Sequence, residues 1–168
     1  MSALKILVTG AVGSGKTTFV ASLSDMEPVN TDVESKETEG KSYTTVGLDY
    51  GSTTVDGQAV RLFGTPGQER FSYMWDVLGE GVDGIVLLID ASNESAVSET
   101  ETLLKTLLPS GASAPIVVGV THTDVSPNHV DQVHTASFTR RVAWMGEVDA
   151  RDSEDGRVLI DKLIEQVA

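Results

Sequence analysis

Eight residues near the amino end have the spacing needed to hold phosphate. Gly10-Ala11-Val12-Gly13-Ser14-Gly15-Lys16-Thr17 follows directly on the apolar run Leu4–Val8. This is the pattern G-x-x-x-x-G-K-[ST], set between a strand and a helix as the motif requires. Glycines at 10, 13 and 15 let the backbone fold into a nest whose N–H groups, with those of Ser14 and Thr18, converge on phosphate oxygens. The helix that opens at Lys16 turns its unpaired N–H groups and the positive end of its dipole toward the same anion. Lys16 adds a point charge at the outer phosphates, and the Thr17 hydroxyl is a ligand suited to Mg²⁺.

The elements that position this loop are legible as alternating patterns. Apolar runs at Leu4–Thr9, Thr44–Val55, Ala59–Gly64, Gly84–Asp90 and Pro115–Thr121 read as strands, with a weaker sixth at Val142–Val148. Ile85–Ile89 and Ile116–Val118 are apolar without alternation, as strands buried on both faces are. Helical patterns fall between them at 16–24, 68–79, 94–108, 127–141 and 153–167. Alternation of this kind predicts an α/β fold with a doubly wound parallel sheet, which binds ligands at the carboxyl ends of its strands. Asp56-Gly57 between two strand runs predicts one antiparallel hairpin. The acidic stretch Asp25–Lys41 reads as a long loop of the kind that is often functional.

The 168 residues suit one domain, spanning 1–168, with a substantial core. There is no cysteine, hence no disulfide framework and no cysteine-based zinc site. A net charge of −13 and a pI near 4.4 disfavour nucleic acid and anionic membrane as partners. No apolar run reaches the ~18 residues of a membrane span, and neither a lipidation site nor room for a signal peptide is evident. The expectation is a cytoplasmic protein without a direct membrane anchor.

Four further segments sit at predicted strand boundaries: Thr44-Thr45-Val46-Gly47, Gly64-Thr65-Pro66-Gly67-Gln68-Glu69-Arg70, Thr121-His122-Thr123-Asp124 and Val148-Asp149-Ala150-Arg151. With the phosphate loop they occupy, in order, the five sequence boxes of Ras-like small GTPases, and the resemblance covers almost the whole chain. Gly64–Phe71 followed by Met74-Trp75-Asp76, and the form Thr-His-x-Asp, resemble the bacterial members of the gliding-motility and roadblock-associated types. The resemblance implies a three-layer P-loop NTPase of Ras-like G-domain form, with a six-stranded mostly parallel sheet, one antiparallel hairpin and about five helices. It also implies a GTP/GDP switch with Mg²⁺, acting through switch I (about 30–47) and switch II (about 64–80) on regulators or effectors, among them a roadblock-domain protein.

Residue by residue, Gly67 resembles the backbone donor to the γ-phosphate, and Gln68 the glutamine that orients the attacking water. Thr45 resembles the switch threonine that reaches Mg²⁺. Thr121, His122 and Asp124 resemble the guanine box, with Asp124 accepting from the N1 and N2 edge of the base. Asp149, Ala150 and Arg151 resemble the last box, where the Ala150 N–H meets the guanine carbonyl. The catalytic set is then Lys16, Gly67 and Gln68.

Four departures bear on mechanism. The carboxylate expected at position 64 is glycine, so the Mg²⁺ set is expected to be Thr17, Thr45 and Asp49. A two-residue turn at Asp56-Gly57 puts Asp49 opposite Gly64 on one face, with Cβ positions ~5 Å apart. Val12 adds bulk beside the γ-phosphate, so hydrolysis is expected to be slow. No arginine precedes Thr45, and the roughly 10³–10⁵ in rate that such a residue supplies must come from Arg61, Arg70, Lys41 or a partner, or be missing. Thr121 and His122 stand where asparagine and lysine are usual. Two competing readings remain: a nucleotide-binding scaffold without turnover, and a small P-loop kinase or ATPase. Gln68 argues against the first, and Asp124 with few arginines against the second. Asp90, at the end of the run Ile85–Ile89, is read as a helix-entry residue rather than a metal carboxylate.

Overall fold

A computed structural model brings the apolar runs into one sheet of seven strands in the order β2-β3-β4-β1-β5-β6-β7. It describes residues 2–11, 13–25, 29–36, 43–65, 81–111, 114–125, 132–133, 136 and 141–167. In chain order these form β1 (Leu4–Gly10), α1 (Lys16–Leu23), β2 (Val29–Lys36), β3 (Tyr43–Val55) and β4 (Gln58–Gly64). They continue as β5 (Gly84–Asp90), α2 (Ala96–Gly111), β6 (Ile116–Thr121), β7 (Trp144–Glu147) and α3 (Ser153–Val167). The expected helices at 68–79 and 127–141 lie largely outside the described residues.

The α/β class read from the sequence holds. β1 runs parallel to β4 on one side and to β5 on the other, and β5, β6 and β7 continue in parallel. The strand that sequence reading missed is β2, inside the stretch expected to be a loop. It pairs antiparallel with β3 from Val29↔Tyr50 to Lys36↔Tyr43. Its sequence, Val-Asn-Thr-Asp-Val-Glu-Ser-Lys, carries β-branched residues at alternate positions. The interleaved charges hid that period, and an edge strand tolerates them.

The predicted turn between β3 and β4 is present. Asp56 and Gly57 both have positive φ (48° and 81°), the left-handed pair that a tight two-residue hairpin demands. It fixes the register from Val55↔Gln58 through to Asp49↔Gly64.

Two apolar cores sandwich the sheet. Alternate strand residues divide between them, as the two-residue period of a strand requires. Ile6, Val8, Val86 and Leu88 face Phe19, Val20 and Leu23 of α1 and Leu159, Ile160 and Leu163 of α3. Leu7, Leu87, Ile89, Val118 and Val120 face the other way, with Leu103 and Leu104 of α2. Helices pinned on both faces leave the carboxyl ends of β1, β5 and β6 on one rim, where the motif residues lie.

Candidate nucleotide-binding site

β1 ends at Gly10 and α1 begins at Lys16, so the phosphate loop is the whole connection. Gly15 caps α1 in the left-handed region (φ 104°), and no side chain bonds the helix end. An uncapped helix start of this kind leaves N–H donors for an anion. Lys16 Nζ spans the loop, donating to Gly10 O (2.6 Å) and Ala11 O (3.2 Å). Burial pushes its pKa down to about 8, against the opposing pull of Asp49.

Beside the loop the Thr17 hydroxyl donates to Asp49 Oδ2 at 2.6 Å. Asp49 comes from β3 and stands opposite Gly64 of β4. A Cβ built on Gly64 would lie 3.0 Å from Asp49 Cβ and 3.3 Å from Oδ2. The space that a side chain at 64 would need is already filled by the carboxylate of Asp49. Hydroxyl and carboxylate oxygens in contact form the hard donor set that Mg²⁺ takes from a protein while phosphates and water complete its shell, so these residues fit that ion.

The structure does not bring Thr45 to this corner. Thr45 pairs with Glu34 in the β2–β3 ribbon, four residues along β3 from Asp49, and four extended residues span about 13 Å. Arg61 lies on β4 in register with Lys5 and Ser52, three residues short of Gly64, and is likewise not gathered in. Val12, Lys41, Gly67, Gln68 and Arg70 lie outside the described residues.

Farther along the rim is a cavity of about 520 Å³ whose walls include Gly15, Thr18, His122, Asp124, Ala150 and Arg151. Thr121 ties this side to the phosphate loop, since its buried hydroxyl donates to Ser14 O at 2.8 Å. Ser22 Oγ donates to Ala150 O at 2.9 Å, which stitches the last box to α1. A Cβ on Gly15 would sit 3.2 Å from Ala150 Cβ, so the two loops are in contact.

Asp149 is engaged within its own loop. Its carboxylate takes Arg151 Nε and Nη2, both at 2.9 Å, and the Arg151 backbone N–H at 2.9 Å. The hydrogen bonds from Arg151 hold its pKa down to about 2. Arg151 also reaches within 3.9 Å of Asp124 Oδ2, so one guanidinium bridges the two boxes at the cavity mouth.

Two residues were not picked out as site residues by sequence reasoning. Thr65 donates its backbone N–H to Val8 O and its hydroxyl to Thr9 Oγ1 at 2.8 Å, locking the end of β4 to β1. Asp90 begins the link to α2, as expected of a helix-entry residue, but its Oδ1 also lies 3.1 Å from His122 Nδ1. The register Asp90↔Thr121, read from two adjacent parallel strands, would have signalled that neighbour.

Comparison with known proteins adds a family. Residues 26–165 match the family described as "conserved hypothetical ATP binding protein". The chain belongs to that family. The matched stretch begins after the phosphate loop, so the loop is an independent feature. A relative in Methanocaldococcus jannaschii, named only as an uncharacterized protein, is 30% identical over 131 residues, covering 78% of this chain and 77% of its own. ADP-ribosylation factor-like protein 8c of Arabidopsis thaliana is 26% identical over 174 residues, 96% of this chain and 86% of its own. Translation initiation factor IF-2 of Rickettsia bellii is 29% identical over 168 residues, 96% of this chain but 19% of its own length.

Proposed function

We propose that the chain is a guanine-nucleotide switch that binds GTP and GDP with Mg²⁺ and hydrolyses GTP slowly. The observation that carries this reading is the shared rim. The Lys16–Thr17–Asp49 corner and the cavity holding Asp124 and Ala150 are joined through Thr121 and Ser14. One ligand with phosphates at one end and a purine at the other matches that layout. Similarity to ADP-ribosylation factor-like small GTPases and to initiation factor IF-2 supports the same choice.

In this reading the N–H groups of the phosphate loop and Lys16 bind the phosphates. Thr17 and Asp49 would hold Mg²⁺, which would supply neutralisation of phosphate charge. Asp49 takes the part left vacant by Gly64. Asp124 accepts from the guanine N1 and N2 edge, and Ala150 donates to the carbonyl. Gly67 senses the γ-phosphate and Gln68 orients water. Thr45 completes the metal set only after β2 parts from β3, so leaving the ribbon is the switching movement. The output is a changed surface at 30–47 and 64–80, read in the cytoplasm by a partner protein, for which a roadblock-domain regulator is our candidate.

The family's description favours a second reading, in which the same loop holds ATP. Adenine has no N1–H and N2–H donor pair for Asp124, so this reading leaves that carboxylate without a base partner. Calorimetry with GDP, GTP, ADP and ATP in the presence of Mg²⁺ separates the two. Guanine nucleotides are expected to bind more tightly by at least about a hundredfold, the order that a lost pair of charge-assisted hydrogen bonds gives. Tighter adenine binding would establish the second reading, and no nucleotide binding would overturn both.

A further inference from the structure

Asp90 ends β5 in register with Thr121 of β6, and the proposed switch does not require it. Its Oδ1 accepts from Ser92 N (2.8 Å) and Ser92 Oγ (2.6 Å), and lies 3.1 Å from His122 Nδ1. The same nitrogen of His122 is 3.1 Å from Thr121 Oγ1. A threonine hydroxyl has one proton, and the 2.8 Å bond to Ser14 O uses it. Oγ1 therefore faces the imidazole as an acceptor, as Asp90 does. With acceptors on both sides, Nδ1 carries the proton, and Nε2 is the ring nitrogen left for a ligand.

The backbone tells the same story. His122 has φ 58°, a conformation that a residue with a side chain adopts at a cost and keeps where its surroundings fix it. The Asp90 side chain is 19% exposed and that of His122 is 40% exposed, so the carboxylate is the sheltered support and the ring the presented surface. His122 lines the same cavity as Asp124 and Ala150.

We propose that Asp90 is a positioning residue of the nucleotide pocket, holding His122 in the Nδ1–H tautomer so that its Nε2 edge serves the bound nucleoside. The proposal rests on the nucleotide-binding reading given above. Asp90 acts through His122 and touches no ligand itself.

The test pairs ring spectroscopy with affinity. Long-range ¹H–¹⁵N correlation spectra of the histidine rings at pH 8, assigned with His122→Ala, are expected to report Nδ1–H for His122. Asp90→Ala is expected to lose that signature and to weaken GDP binding with Mg²⁺ by about 5- to 20-fold, as for a lost hydrogen bond to a charged group. Asp90→Asn keeps an acceptor oxygen and is expected to stay within about threefold of the wild type. Ser92→Ala removes the hydroxyl donor to Asp90 but neither the Ser92 N–H nor the imidazole support, and is expected to change neither readout. In a His122→Ala background, Asp90→Ala is expected to add nothing, as for a residue that acts only through the ring.

An Nε2–H wild-type tautomer would overturn the proposal. So would a Ser92→Ala loss equal to that of Asp90→Ala, or an Asp90→Ala loss that persists without His122. Wild-type chain that binds neither GDP nor GTP would defeat the switch reading, and the ring spectra would still decide whether Asp90 sets the tautomer.

Discussion

Moving the carboxylate back across the hairpin tests the metal corner most directly. Gly64→Asp alone would place a second carboxylate against the first, since a Cβ at 64 meets Asp49 Cβ at 3.0 Å and its Oδ2 at 3.3 Å. Two such charges about 4 Å apart repel by roughly 4 kcal/mol at an effective dielectric of 20, and the crowding adds about 1–3 kcal/mol. The single variant should therefore unfold at much lower denaturant. Asp49→Gly should abolish the bond to Thr17 and with it the slowing of GDP release by Mg²⁺. The double variant, Asp49→Gly with Gly64→Asp, again has one carboxylate on that face, supplied from β4. Its stability should recover to within about 1 kcal/mol of the wild type, since one strand glycine is exchanged for another and their backbone costs offset. GDP dissociation measured with Mg²⁺ and with chelator reads the outcome, and the double variant should regain most of the Mg²⁺ effect. Release from the double variant as insensitive to Mg²⁺ as from Asp49→Gly, or a full Mg²⁺ effect in Asp49→Gly itself, would refute the reasoning.

Three other outcomes follow from the same geometry. Lys16, with its pKa lowered to about 8 by burial, loses charge in the unliganded chain as pH rises through that value. Between about 8 and 10.5 the unfolded chain binds more protons, so the stability of the unliganded protein should rise with pH there. Nucleotide affinity should fall over the same window, to about a tenth at pH 9 with uptake of about one proton; calorimetry in buffers of different ionisation heat would reveal the proton, and none taken up at pH 9 would contradict this. Thr121→Val removes the donor to Ser14 O and should cost about 1–3 kcal/mol in denaturant unfolding, with weaker nucleotide binding. Ser14 Oγ is buried without a partner among the described residues, so Ser14→Ala should stabilise the chain by about 1 kcal/mol in the same assay.

What the sequence disclosed and what it hid divide along a physical line. β5 and β6 announced themselves because strands buried on both faces are apolar at every position. The Asp56-Gly57 turn disclosed a register, and the register carried Asp49 to Gly64 without any side-chain information. β2 stayed hidden because its hydrogen bonds come from β3, which is seven residues on at Lys36↔Tyr43 and twenty-one at Val29↔Tyr50, while charged and polar side chains interrupt its own apolar pattern. The pairing of Asp149 with Arg151 was equally opaque, because a two-residue ion pair looks the same on paper whether its members face each other or a ligand. The link between Asp90 and His122 joins segments that are neighbours only through the sheet, which periodicity does not report.

Asp49 and Thr45 ride on one continuous strand. In the proposed switch, a carboxylate at position 64 would instead tie the cation to β4. In the proposed switch the outer part of β3 would bend free with Thr45 while Asp49, held opposite Gly64, stays in place, so the strand works as a hinge. Whatever grips the outer edge of this sheet would therefore reach the threonine first and the carboxylate last, without entering the pocket.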